Sequence, residues 1–352
     1  MQGTKWAWRA TAVCVALAVA AGVPSKGEEA KAKKGVGPGI KAVLDQLEAL
    51  GPKPLEKLDP KEARKQPTPG DAVKALLKKQ GKSTDPEPVA KVKDIEFPGA
   101  VGKLPARVYT PKGEGPFPVL VYWHGGGFVI ADLDTYDSSC RALCNAAGCV
   151  VVSCHYRLAP EHPFPAAPND AFAAYQWVLK NAGTVNGNPK RVAVGGESAG
   201  GNLAAVTALQ ARNKGVTPPV HQLLIYPVTD HAYDTPSYKE NADAKPLNLP
   251  MMKWFWGHYL GKASDGAFNY ASPMQAKDLK NLPPATVITA EVDPLRSEGK
   301  AYADRLKAAG VAVDYTNYEG VTHEFFGMGA VLPEAKQAVA QAAKGLKTGF
   351  GK

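Results

Sequence analysis

The chain has 352 residues, 45% of them hydrophobic and 21% charged, with 35 glycines and 30 prolines. This composition excludes a disordered polyelectrolyte, a collagen-like repeat and a disulfide-dense miniprotein, and the chain is long enough to bury a large core. The net charge of +9 gathers partly near the N-terminus (Lys26, Lys31, Lys33, Lys34, Lys78, Lys79), and no basic stripe is interleaved with aromatic residues, so no nucleic-acid partner is expected.

Lys5 and Arg9 precede an apolar run over Thr11–Val23, and small residues followed by charged ones close it. This is the three-part pattern of a secretory signal. The run is too short to span about 30 Å of hydrocarbon as a helix. Ala18-Val19-Ala20 supplies a small-residue exit, so residues 1–20 are expected to be removed after Ala20. The remainder is expected to be exported (periplasmic or secreted), soluble and without stable membrane insertion. Residues 21–39 are charged, glycine-rich and poor in large apolar side chains, which reads as a flexible linker.

Over residues 40–84, Ile40, Val43, Leu44, Leu47 and Leu50 fall on one helical face until Gly51-Pro52 stops the run. A second short helix is expected after Pro69-Gly70, with Asp71 as its N-cap and Val73, Leu76 and Leu77 on its apolar face. Two helices of this size cannot bury themselves and must pack on something larger. From residue 91 the pattern changes. KVKDIEF and ARVYT suggest an antiparallel entry pair, followed by apolar strands at 119–124, 150–156, 191–196, 222–227, 285–291 and 311–318. Helical segments near 135–147, 168–182, 199–213, 297–309 and 333–346 separate most of them. Short β-branched runs alternating with helices predict an α/β fold whose mostly parallel, eight-stranded sheet is covered on both faces. The stretch 230–280 interrupts that rhythm with Trp254, Phe255, Trp256 and Tyr259 and reads as an insertion.

Apart from Cys14 in the apolar run, the cysteines are Cys140, Cys144, Cys149 and Cys154. If 149–154 is a strand, its ends are about 17 Å apart and face opposite sides, so Cys149 cannot reach Cys154. Two bridges from Cys140 and Cys144 to the strand, or four buried thiols, are the readings left open. The spacing does not suit zinc, and no metal is expected.

Gly196-Glu197-Ser198-Ala199-Gly200 follows a predicted strand and opens a predicted helix. That context turns a common pentapeptide into a nucleophile elbow, a tight turn that lifts the serine hydroxyl off the sheet. A phosphate cradle would bring a lysine after the last glycine, or a G-x-G-x-x-G spacing with an acidic ribose partner; neither is present. A serine hydroxyl needs a base to become a nucleophile. Elbow enzymes run Ser, acid, His along the chain, which leaves His221, His231, His258 and His323. His323 follows the last strand at the sheet's C-terminal edge and is preferred. For the acid, Asp293 at the end of TVITAEV is preferred over Asp230, Glu291 and Glu298. His124-Gly125-Gly126-Gly127-Phe128 follows the strand VLVYW, where exposed backbone N–H groups, with that of Ala199, suit a developing oxyanion.

HGGGF, YRLAPEHPFPA, GESAGGN, DPLRSEG and THEFF occur in this order. Together they resemble the hormone-sensitive-lipase-like carboxylesterases of the α/β-hydrolase superfamily, over about residues 85–345. The resemblance implies a catalytic domain over 85–349, carrying a helical cap built from residues 40–84 and the insertion at 230–280. It implies Ser198, Asp293 and His323 as a catalytic triad, and Gly125, Gly126 and Ala199 as oxyanion-hole donors. It further implies short- to medium-chain acyl esters as substrates and no cofactor or metal. An amidase or peptidase using the same triad, and a non-catalytic small-molecule binding protein of this fold, are the alternatives; an oligomer is compatible with either. Four positions depart from the family's usual residues: His155 stands where Asp is common, Ala131 where Gly is, Ser297 where an acid is, and Glu324 where Gly is.

Overall fold

The computed structural model describes residues 1–3 and 35–352. Residues 4–20 of the expected signal over 1–20, Cys14 among them, and most of the expected linker over 21–39 lie outside the described residues. From Gly35 to Lys352 the chain forms one unit. Its centre is an eight-stranded sheet in the order β1-β2-β4-β3-β5-β6-β7-β8. The strands are β1 (Lys91–Pro98), β2 (Lys103–Thr110), β3 (Phe117–Trp123), β4 (Val150–Cys154), β5 (Gly187–Glu197), β6 (Gln222–Ile225), β7 (Ala285–Val292) and β8 (Val313–Thr322). β1 and β2 pair antiparallel, β2 meets β4 antiparallel, and every later pairing is parallel.

All of β3 is buried, because helices cover both faces of a central parallel strand. Alternation then sorts its side chains. Val119, Val121 and Trp123 point into one core cluster, while Leu120 and Tyr122 point into the other. The first cluster packs under α5 (Ala166–Asn181), α6 (Ala199–Asn213) and α9 (Arg296–Ala308); the second packs under α1 (Pro38–Ala49), α3 (Pro69–Lys79), α4 (Asp137–Ala147) and α10 (Pro333–Gly349). Among the described residues no helix is long and apolar enough to cross a membrane. Cys140, Cys144, Cys149 and Cys154 are all buried free thiols.

The N-terminal helices differ from expectation in detail. α1 starts at Pro38, two residues before Ile40, and Gly37 N–H donates to Gly320 O at 2.7 Å. α3 is capped by Thr68 rather than Asp71. Asp71 sits at the third helical position and closes a capping box, accepting from Thr68 N–H while the Thr68 hydroxyl accepts from Asp71 N–H. Between them lies α2 (Pro60–Ala63), capped by Asp59. The insertion holds α7 (Pro236–Glu240) and α8 (Leu249–Tyr259). Trp254 of α8 donates its indole N–H to Leu58 O at 3.2 Å, so the insertion and the N-terminal segment hold each other over the C-terminal ends of the strands.

Candidate active site

β5 runs straight into Ser198, which has φ 57° and ψ −117°. A side chain is strained in this region. The turn is held because Ser198 N–H donates to Ile225 O at 2.9 Å and because α6 presses close beneath it. A Cβ on Gly200 would lie 1.9 Å from Trp123 O, so only glycine lets the helix start this near β3.

The ends of three strands converge on this turn. Ser198 Oγ lies 3.0 Å from His323 Nε2, and His323 Nδ1 lies 2.7 Å from Asp293 Oδ2. Leu295 N–H donates to Asp293 Oδ1 at 2.8 Å, fixing the carboxylate's orientation. A carboxylate facing Nδ1 demands the Nδ1–H tautomer, which leaves Nε2 to accept from the serine hydroxyl. All three side chains are buried, Ser198 retaining 5% exposure. β8 extends four residues beyond its expected end at 318 and delivers His323 directly after Thr322. Burial alone would push the His323 pKa down, but the charge and hydrogen bond of Asp293, followed by Glu324 and Glu197, outweigh it and hold it above 6.5.

The structure does not bring the competing residues to Ser198. Asp230 accepts from His231 N–H and Gln275, Glu291 accepts from Gly320 N–H, and Glu298 accepts from Thr229 N–H. His221 is buried against Thr286, His231 packs on Trp256 and His258 on Trp254.

Gly125, Gly126 and Gly127 leave β3 beside the elbow. Gly126 has φ +95°, and a Cβ there would lie 2.2 Å from Ile130 O. Its carbonyl accepts from Val129 and Ile130 N–H, closing the loop back on itself. None of the described residues accepts from the Gly126 or Gly127 N–H. Ala199 opens α6, whose first N–H groups have no intrahelical acceptor.

Several polar groups around this centre carry little sequence signal. Glu197, the variable position of the elbow, is buried and accepts from the hydroxyls of Tyr122 and Tyr226. Burial and then the neighbouring Glu324 push its pKa up to about 7. Tyr226 also packs its ring 4.5 Å from that of His323. Glu324 adopts φ +68°, accepts from Tyr136 OH at 2.7 Å and places Oε1 3.7 Å from His323 Nε2. An acid inside a turn of small residues was the one clue to Glu197; nothing local marks Tyr226 or Tyr136.

A cleft of about 730 Å³ opens over Ser198 and His323. Val228, Leu247, Met251, Met252 and Phe255 give it apolar walls, while Leu44, Leu47 and the segment 52–56 close its far side. The arrangement can remove a proton from an alcohol, offer N–H donors to an adjacent oxyanion and hold an apolar chain. Among the described residues no group of three or more His, Cys, Asp or Glu side chains is placed to hold a metal ion.

A sequence profile described as the alpha/beta hydrolase fold matches residues 120–327. The chain is similar to the carboxylic ester hydrolase LipN of Mycobacterium tuberculosis, 45% identical over 243 residues, which is 67% of this chain and 65% of that protein. It is similar to an ethyl acetate hydrolase of Pseudomonas putida, 35% identical over 84% of this chain and 92% of that one. A hyperthermophilic esterase from Pyrobaculum calidifontis superposes with TM-score 0.81 at 42% identity, over 90% of this chain and 99% of that chain.

Proposed function

Because the chain belongs to the α/β-hydrolase-fold family, in its hormone-sensitive-lipase-like branch of carboxylic ester hydrolases, we propose that it cleaves short- to medium-chain acyl esters through an acyl-enzyme on Ser198. The observation that carries this reading is the unbroken hydrogen-bonded run Ser198–His323–Asp293, whose first two members line the cleft. In this reading His323 Nε2 takes the Ser198 proton as Oγ attacks the ester carbonyl. The N–H groups of Gly125, Gly126 and Ala199 receive the oxyanion of the tetrahedral intermediate. His323 then protonates the departing alkoxide, and water repeats the cycle on the acyl-enzyme while Asp293 holds the imidazole tautomer. The cleft's volume and its apolar walls support an acyl chain of modest length, as does the likeness to an ethyl acetate hydrolase. Export of the chain remains part of the proposal and rests on the sequence of residues 1–23.

The test is turnover of p-nitrophenyl acetate and butyrate by the wild type and by Ser198→Ala. The expected loss in kcat is about 10⁴-fold or more, with an unchanged melting temperature. Comparable turnover by the two proteins would remove Ser198 as the nucleophile. An acyl series from acetate to laurate then reads the reach of the cleft.

A further inference from the structure

We infer that His155 is a positioning residue: through His124 it fixes the direction in which the Gly126 N–H points into the cleft. The inference rests on the proposed role of that N–H as an oxyanion donor. Four observations build it. His124 Nδ1 lies 2.8 Å from Gly125 O, and a carbonyl oxygen only accepts, so His124 carries its proton on Nδ1. His124 Nε2 lies 2.9 Å from His155 Nδ1. Burial drives the pKa of His124 down to about 3 and also lowers that of His155, so both rings are neutral at ordinary pH and each bears one N–H. With the His124 proton committed to Gly125 O, its Nε2 can only accept, and His155 Nδ1–H must be the donor.

The last observation is the peptide plane. The Gly125–Gly126 bond is not among the cis peptides, and in a planar trans peptide the carbonyl and the following N–H point in opposite directions. Gly125 O is held by His124 Nδ1–H and lies 3.1 Å from Tyr156 OH. Pinning that carbonyl therefore pins the Gly126 N–H on the opposite side of the peptide, and Gly126, like His155, lines the cleft. The relay runs from His155 to His124, to Gly125 C=O, to Gly126 N–H. An aspartate at 155 would reverse the first link, because a carboxylate accepts where His155 donates. The histidine here thus keeps His124 neutral and its single proton on Gly125.

The variants His155→Leu, His155→Ala and His155→Asn separate the donor from the shape. Asn matches Leu in size but carries an N–H donor close to where Nδ1 stands in His. On p-nitrophenyl butyrate, the donorless variants should lose about 10-fold or more in kcat with KM within about twofold, the pattern of a misaimed oxyanion donor. Their affinity for a trifluoromethyl ketone of the same acyl length should fall in parallel, since that ligand needs the oxyanion donor and the ester ground state does not. His155→Asn should stay within about threefold of the wild type in both readouts. Whichever donorless variant keeps the wild-type melting temperature supplies the comparison. Wild-type kcat in such a variant, or Asn as impaired as Leu, overturns the relay. If Ser198→Ala is inactive in that same series, the relay alone falls and the esterase reading stands; an active Ser198→Ala overturns both.

Discussion

At the residue scale the imidazole of His323 decides the pH response of the proposed reaction. In that reaction it must be neutral to take the Ser198 proton, and Asp293 first, then Glu324 and Glu197, favour its charged form. Its pKa is thereby raised, so kcat/KM should fall as pH drops through a value above 6.5. Glu324→Gln removes one of these charges, lowers the imidazolium's stability and should shift the acid limb down by roughly half a pH unit. A pH profile of kcat/KM checks this; a limb that stays put or moves up contradicts it. Glu324 was visible in the sequence as a departure beside a histidine. Its hydrogen bond to Tyr136, 188 positions away, was not, because no local pattern encodes a contact across that span.

At the element scale the elbow was legible. A strand, a pentapeptide of small residues and a helix in succession have one compact arrangement, and β5, Ser198 and α6 adopt it. Asp293 and His323, the proposed acid and base, could be singled out by chain order and strand position, whereas their distances could not. The N-terminal segment was legible only as helices in need of a partner. One of its fastenings is Arg64 at the end of α2, which donates to Val129 O and Ala159 O at 2.9 Å each and pairs with Glu161. Val129 follows the glycine loop and Ala159 lies in the YRLAP segment, so the arginine ties the N-terminal segment to the loop beside Ser198. Arg64→Ala should lower stability by about 1–2 kcal/mol through the two carbonyl bonds. The half-exposed Glu161 side adds little, since solvent screens it. KM should rise a few-fold as the N-terminal segment loosens. Urea melts and steady-state kinetics read both effects, and an unchanged midpoint would show that the segment is held elsewhere.

At the scale of the whole molecule, stability comes from two apolar layers on one sheet rather than from covalent staples. Cys140, Cys144, Cys149 and Cys154 sit inside those layers as free thiols, and burial pushes their pKa up, that of Cys144 to about 12. Reductant should therefore leave the melting temperature unchanged, and a thiol reagent should reach these four only on unfolding. A drop in melting temperature on reduction would reveal a bridge. The cysteine pattern left both outcomes open, because spacing restricts which pairs can meet without saying which way each side chain faces. By itself the sequence determined the alternation of strands and helices, the elbow and the order of the groups proposed to react. These follow from hydrophobic period, glycine placement and short-range turn chemistry, all of which act within a few residues. Only the tertiary structure decided the pairing of His124 with His155, the tyrosines around Glu197 and the shape of the cleft. Those depend on the distance and direction between groups far apart in the chain, which the packing of the sheet and its covering segments sets.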